Sequence, residues 1–104
     1  ASVPAEQRPG VLAVDGVRRS GGDDRKPQYD IVVSTADAGN SALFVEGPAD
    51  WYPAAPKLVA EGDGKATWHL TIDRRTARTP IAGTDLRYTL TSGDEAVEGT
   101  FRLQ

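Results

Sequence analysis

The chain has 104 residues, with no cysteine, no methionine and one histidine, and its net charge is −3 from 12 Lys+Arg against 15 Asp+Glu. That length fits one domain, and folding buries roughly 60–70% of the unfolded surface, enough for a core without staples. Composition excludes disulfides and thiolate metal sites; the mild acidic balance gives no footprint for nucleic acid or an anionic membrane, and no apolar run nears the ~20 residues of a membrane-spanning helix, so no membrane insertion by this chain is expected.

Ala1 is expected to begin a processed chain or a piece of a longer one, with Ala1 to Pro9 an irregular lead-in bracketed by Pro4 and Pro9. Val11 to Val17 predicts a first strand whose inward face the pattern leaves open. Ser20 to Pro27 reads as a polar loop. Its Asp23 and Asp24 are adjacent and point opposite ways in an extended chain, and no Ca²⁺-loop spacing follows, so solvation is expected there. Tyr29 to Thr35 is the second strand, its Ile31-Val32-Val33 run suggesting cover on both faces. Gly39-Asn40 turns the chain, and Ala42 to Glu46 is the third strand. The stretch from Gly47 to Pro56 holds three prolines, Pro48, Pro53 and Pro56, which exclude a central strand. Lys57 to Ala60 predicts a short edge strand, followed by a turn over Glu61 to Gly64.

Lys65 to Asp73 alternates most cleanly. Ala66, Trp68, Leu70 and Ile72 share one face; Thr67, His69, Thr71 and Asp73 share the other. Arg74 to Thr84 is a polar connection to the closing hairpin. There Leu86, Tyr88 and Leu90 alternate with polar residues up to Ser92, and Gly93-Asp94 suits a type II′ turn. Counting outward from that turn sets Ser92 against Glu95, Leu90 against Val97, Tyr88 against Gly99 and Leu86 against Phe101. A slip of one residue would put Leu90 against a polar position or Ala96. The ring of Tyr88 then covers a glycine that has no side chain of its own. The sum is about seven short antiparallel strands, the pattern of an all-β, immunoglobulin-like sandwich forming a single domain over residues 1–104.

Catalytic chemistry finds little purchase. A zinc site or a Ser-His-Asp triad needs partners for His69, and Asp73 on the same strand lies roughly 13 Å away, too far to orient the imidazole. His69 is therefore expected on the solvent face. Asp94, Glu95 and Glu98 belong to the turn and the polar side of the hairpin. No catalytic residue, metal or cofactor is expected. Contact residues are better sought in the loop from Glu46 to Pro56, where Glu46, Trp51 and Tyr52 are candidates for partner binding. Trp51 and Tyr52 are adjacent, so one ring is free to plug the core while the other faces solvent, and aromatics on a proline-stiffened loop lose little entropy on binding. Closure of one end of the core by both rings is the competing expectation.

Leu43-Phe44-Val45-Glu46-Gly47-Pro48, followed by Trp51-Tyr52-Pro53 and Pro56, resembles a run in the N-terminal periplasmic region of DsbD-type thiol:disulfide interchange proteins, ScsB-type relatives included. Leu86-Arg87-Tyr88-Thr89-Leu90, Gly93 and Glu95-Ala96-Val97-Glu98 are similar to that region's last hairpin. The resemblance spans about Tyr29 to Leu103 and implies an immunoglobulin-like domain in the periplasm. That family's domain works through a cysteine pair, and thiol exchange requires a thiolate. With no cysteine here, the resemblance implies a non-catalytic module serving partner docking or spacing, its partners being other domains of a membrane thiol:disulfide interchange protein or a periplasmic protein. A stand-alone exported domain binding a glycan or peptide is the alternative.

Overall fold

The computed structural model describes residues 12–75 and 77–103; the lead-in from Ala1 to Pro9 and the expected strand start at Val11 lie outside the described residues. Eight strands run in the order β1 (Ala13–Gly21), β2 (Gln28–Ser34), β3 (Ser41–Glu46), β4 (Tyr52–Pro53), β5 (Lys57–Gly62), β6 (Lys65–Asp73), β7 (Asp85–Ser92) and β8 (Glu95–Arg102). A 3-10 turn at Ala38–Asn40 is the only helical element among the described residues. The chain is all-β, with every strand pair antiparallel.

The larger sheet places β2 between β1 and β6, and both β4 and β5 pair along the far edge of β6; the smaller sheet has the order β3-β7-β8. Period-2 alternation turns one face of each sheet inward. From the larger sheet come Tyr29, Ile31, Val33, Ala66, Trp68, Leu70 and Ile72, and from the smaller Leu43, Leu86 and Leu90; these join Leu12, Trp51 and Leu103 in one core.

The closing hairpin has the register counted from its turn, with Leu90 opposite Val97, Tyr88 opposite Gly99 and Leu86 opposite Phe101. Gly93 has φ +57 while Asp94 is absent from the residues of positive φ, which fits a turn of type II′. Tyr88 lies so close over Gly99 that a Cβ there would stand 2.8 Å from its Cζ. The ring also stacks on Phe101, with centroids 5.9 Å apart.

Four local expectations need correction. β1 runs on to Gly21, so Ser20 and Gly21 belong to a strand rather than to the polar loop. Its length is sustained by pairing with β2 through bulges at Asp15 and Ser20. Val32 is only half-buried between the buried Ile31 and Val33, because β2 alternates and has one core face. The loop from Gly47 to Pro56 contains the two-residue β4, which Pro53 permits because it lies at a sheet edge. The strand β5 continues past Ala60 to Gly62, because Glu61 and Gly62 still pair with Ala66 and Lys65 of β6.

Candidate functional site

The structure places Trp51, Tyr52 and Glu46 in three different surroundings. The Trp51 N–H donates to the Pro48 carbonyl at 2.9 Å, closing a turn at the start of the loop. The indole is turned into the core and is 3% exposed. Tyr52, the next residue, points the other way and is 48% exposed. Glu46 is exposed at the end of β3, in register with Arg87 of the smaller sheet. The two aromatic rings therefore do not lie side by side at the surface.

Each ring has an arginine over it. The Arg74 guanidinium carbon is 4.8 Å from the Trp51 ring centroid, and that of Arg75 is 4.2 Å from the Tyr52 centroid. Both arginines follow directly on β6, whose Asp73 pairs with Tyr52. Arg75 adopts φ +49, and its N–H donates to Asp73 Oδ1 at 3.0 Å, a local bond that holds the bend. Arg74 is 7% exposed. Its Nη1 donates to the Asp24 carbonyl at 2.6 Å and its Nη2 to the Thr79 carbonyl, so the guanidinium joins two loops beneath the indole. No sequence pattern marks these two arginines, since their partners are backbone carbonyls and rings far along the chain.

His69 does meet a carboxylate, but not Asp73. Its Nδ1 is 3.0 Å from Oδ1 of Asp30 on β2, with both side chains partly exposed. The two residues are direct cross-strand partners, in a row that runs Arg18, Asp30, His69, Lys57 across four strands with the charged types interleaved. The imidazole is thus oriented by Asp30 and, as the spacing predicts, not by Asp73. Same-strand spacing says nothing of a neighbour supplied by another strand. Among the described residues no serine or threonine hydroxyl bonds this pair, so the nucleophile of a triad is not assembled at it.

A second polar cluster joins Lys65, Asp15 and Ser34. Lys65 Nζ is 2.6 Å from Asp15 Oδ2 and 3.0 Å from Ser34 Oγ, and the hydroxyl donates to the same carboxylate oxygen at 2.7 Å. A lysine activates a hydroxyl when burial removes its charge. Here the lysine side chain is 54% exposed and ion-paired, and the cluster staples the ends of three adjacent strands. Asp23 is likewise structural: its Oδ1 accepts the N–H groups of Arg25 and Lys26, both at 2.9 Å, and these bonds hold its carboxyl below the ordinary 3.8. An open hollow of about 460 Å³ between the turns at residues 35–39 and 61–65 is lined by Asp37, Glu61 and Asp63. Among the described residues no group of three or more side chains is placed to hold a metal ion.

No family model, no curated protein and no solved structure matches this chain. No helix among the described residues is long and apolar enough to cross a membrane.

Proposed function

We propose that this chain is a non-catalytic immunoglobulin-like module of an exported, DsbD/ScsB-like thiol:disulfide interchange protein, and that it docks a partner through Tyr52. The strand order supports the immunoglobulin-like part of the reading. Seven-stranded immunoglobulin domains put strands A, B, E and D in one sheet and C, F and G in the other. The order β1-β2-β6 with β4 and β5 beside it, facing β3-β7-β8, corresponds if the fourth strand is interrupted between Pro53 and Pro56.

The observation that carries the docking role is the exposure of Tyr52 in a braced position. Its ring is half open to solvent while Arg75 stacks on it and β4 fixes its backbone to β6. A tyrosine already held in one orientation gives up little conformational entropy on binding. Without cysteine, this module would leave thiol exchange to other parts of the polypeptide or to its partner.

The reading is tested by titrating the labelled module with the cysteine-bearing domain of the same polypeptide. Binding that Tyr52→Ala weakens by about tenfold or more supports it, the loss expected of an interface anchor. Absence of binding, or an affinity indifferent to Tyr52, overturns it. A polypeptide that carries no cysteine-bearing domain overturns the kinship.

A further inference from the structure

Residues of β1, an edge of the larger sheet, and of β8, an edge of the smaller, line common hollows between the sheets. Two hollows lie along this seam. One, of about 230 Å³, is lined by Val14, Val17, Tyr88 and Phe101 among others; the other, of about 190 Å³, by Val17, Arg19, Tyr29, Arg102 and Leu103 among others. They share Val17 and Arg102, so together they form one groove. Its apolar lining is continuous with the core, yet Val14, Val17, Tyr88 and Phe101 are only partly buried.

Charge is unevenly spread along this groove. Arg18, Arg19 and Arg102 gather at the end where β8 finishes. Arg102 uses Nε on Asp85 at 3.0 Å, leaving its terminal nitrogens free of bonds among the described residues. Tyr29 lines the same hollow, with the Arg19 guanidinium carbon 5.8 Å from its ring centroid. A hollow rimmed by three arginines is an arrangement that an incoming carboxylate completes.

The edge strands also differ. β1 and β5 are interrupted by bulges, which discourage edge pairing. β8 pairs with β7 over eight residues without a register shift, and among the described residues it has no strand on its other side.

We propose that an extended peptide adds antiparallel to β8 along this groove, with an acidic residue near its N-terminal end held by Arg102 and Arg19. Strand addition supplies backbone hydrogen bonds, and every second side chain enters the groove. The acidic residue is thus followed two and four positions later by apolar ones, which cover Phe101 and Val17 and then Tyr88. The antiparallel direction follows from the basic cluster lying at the C-terminal end of β8, where an antiparallel strand begins. The inference stands apart from docking by Tyr52, which lies on β4 at the opposite edge of the larger sheet.

The probe is a blocked hexapeptide, Glu-Thr-Val-Thr-Val-Thr, titrated to about 1 mM into the labelled protein, the affinity scale of a weak strand contact. Amide shifts concentrated on β8, Val17 and Tyr29 are expected, with affinity about tenfold lower when the peptide's Glu is replaced by Gln. Arg102→Glu is expected to lose the acidic peptide and to gain a Lys-Thr-Val-Thr-Val-Thr peptide, which shows that the variant is still folded and that charge sets the choice. Shifts confined to β3 or β5, equal binding of the Glu and Gln peptides, or no saturable binding overturn the proposal.

Discussion

Arg74 and Trp51 are stacked inside the protein, the guanidinium carbon 4.8 Å from the ring centroid with both residues nearly sealed from solvent. The arginine reaches carbonyls of two loops, Asp24 on one and Thr79 on the other, and its own N–H donates to the Arg25 carbonyl at 2.8 Å. It therefore fixes the end of β6 to the segments that flank it, and the loop carrying Tyr52 rests on the same pair.

Arg74→Met keeps the aliphatic stem and removes the donors. The expected loss is about 1.5–3 kcal/mol, the worth of hydrogen bonds made by a charged group, measured by urea unfolding. Arg74→Lys is expected to recover only part of it, because one ammonium lacks the planar fork that serves two carbonyls on different loops. Full stability in the methionine variant would show that the loops are held by other contacts.

Gly99→Ala tests the close approach in the hairpin. The new Cβ would stand 2.6 Å from Tyr88 Oη and 2.8 Å from Cζ, so the ring must shift where it stacks on Phe101. A cost of about 1–3 kcal/mol is expected, as for other overpacked positions. The cost should shrink in a Tyr88→Leu background, because the two residues share the contact. An equal cost in both backgrounds would move its cause from the ring to the backbone.

Asp23 provides a pH test. Bonds from the N–H groups of Lys26 and Arg25 lower its folded pKa below 3.8. A carboxylate of that kind adds stability above its unfolded pKa, and the contribution is lost as pH falls through the lower, folded value. Carboxyl NMR should find the Asp23 midpoint below 3.8. The stability gap between wild type and Asp23→Ala should be open at neutral pH and narrow in acid. A gap that widens in acid would reverse the sign of the account.

What was legible in the sequence is what alternation and turn chemistry determine locally. β6 has the bounds its pattern predicts, Lys65 to Asp73. The closing hairpin has its predicted register because Gly93 sets the turn and a slip would expose Leu90. Adjacency allows Trp51 and Tyr52 to point opposite ways but also leaves open that both rings close the core, which the 48% exposure of Tyr52 excludes. The Asp30–His69 pair, the seat of Arg74 and the groove beside β8 were not readable. Each depends on which strands become neighbours, and residues 39 positions apart, as Asp30 and His69 are, leave no local signature. The length of β1 has no local signature for the same reason, since β2 sustains it through two bulges.

The claim on which docking depends is that one of two adjacent aromatic residues belongs to the core and the other to the surface. Equilibrium urea unfolding of Trp51→Ala beside Tyr52→Ala tests it most directly. The account predicts a loss of about 3–5 kcal/mol for Trp51→Ala and a loss of about 1 kcal/mol or less for Tyr52→Ala, the scale of its exposed stack with Arg75. A comparable loss in both variants would contradict it, placing the two rings together in the core and leaving this loop no aromatic to offer a partner.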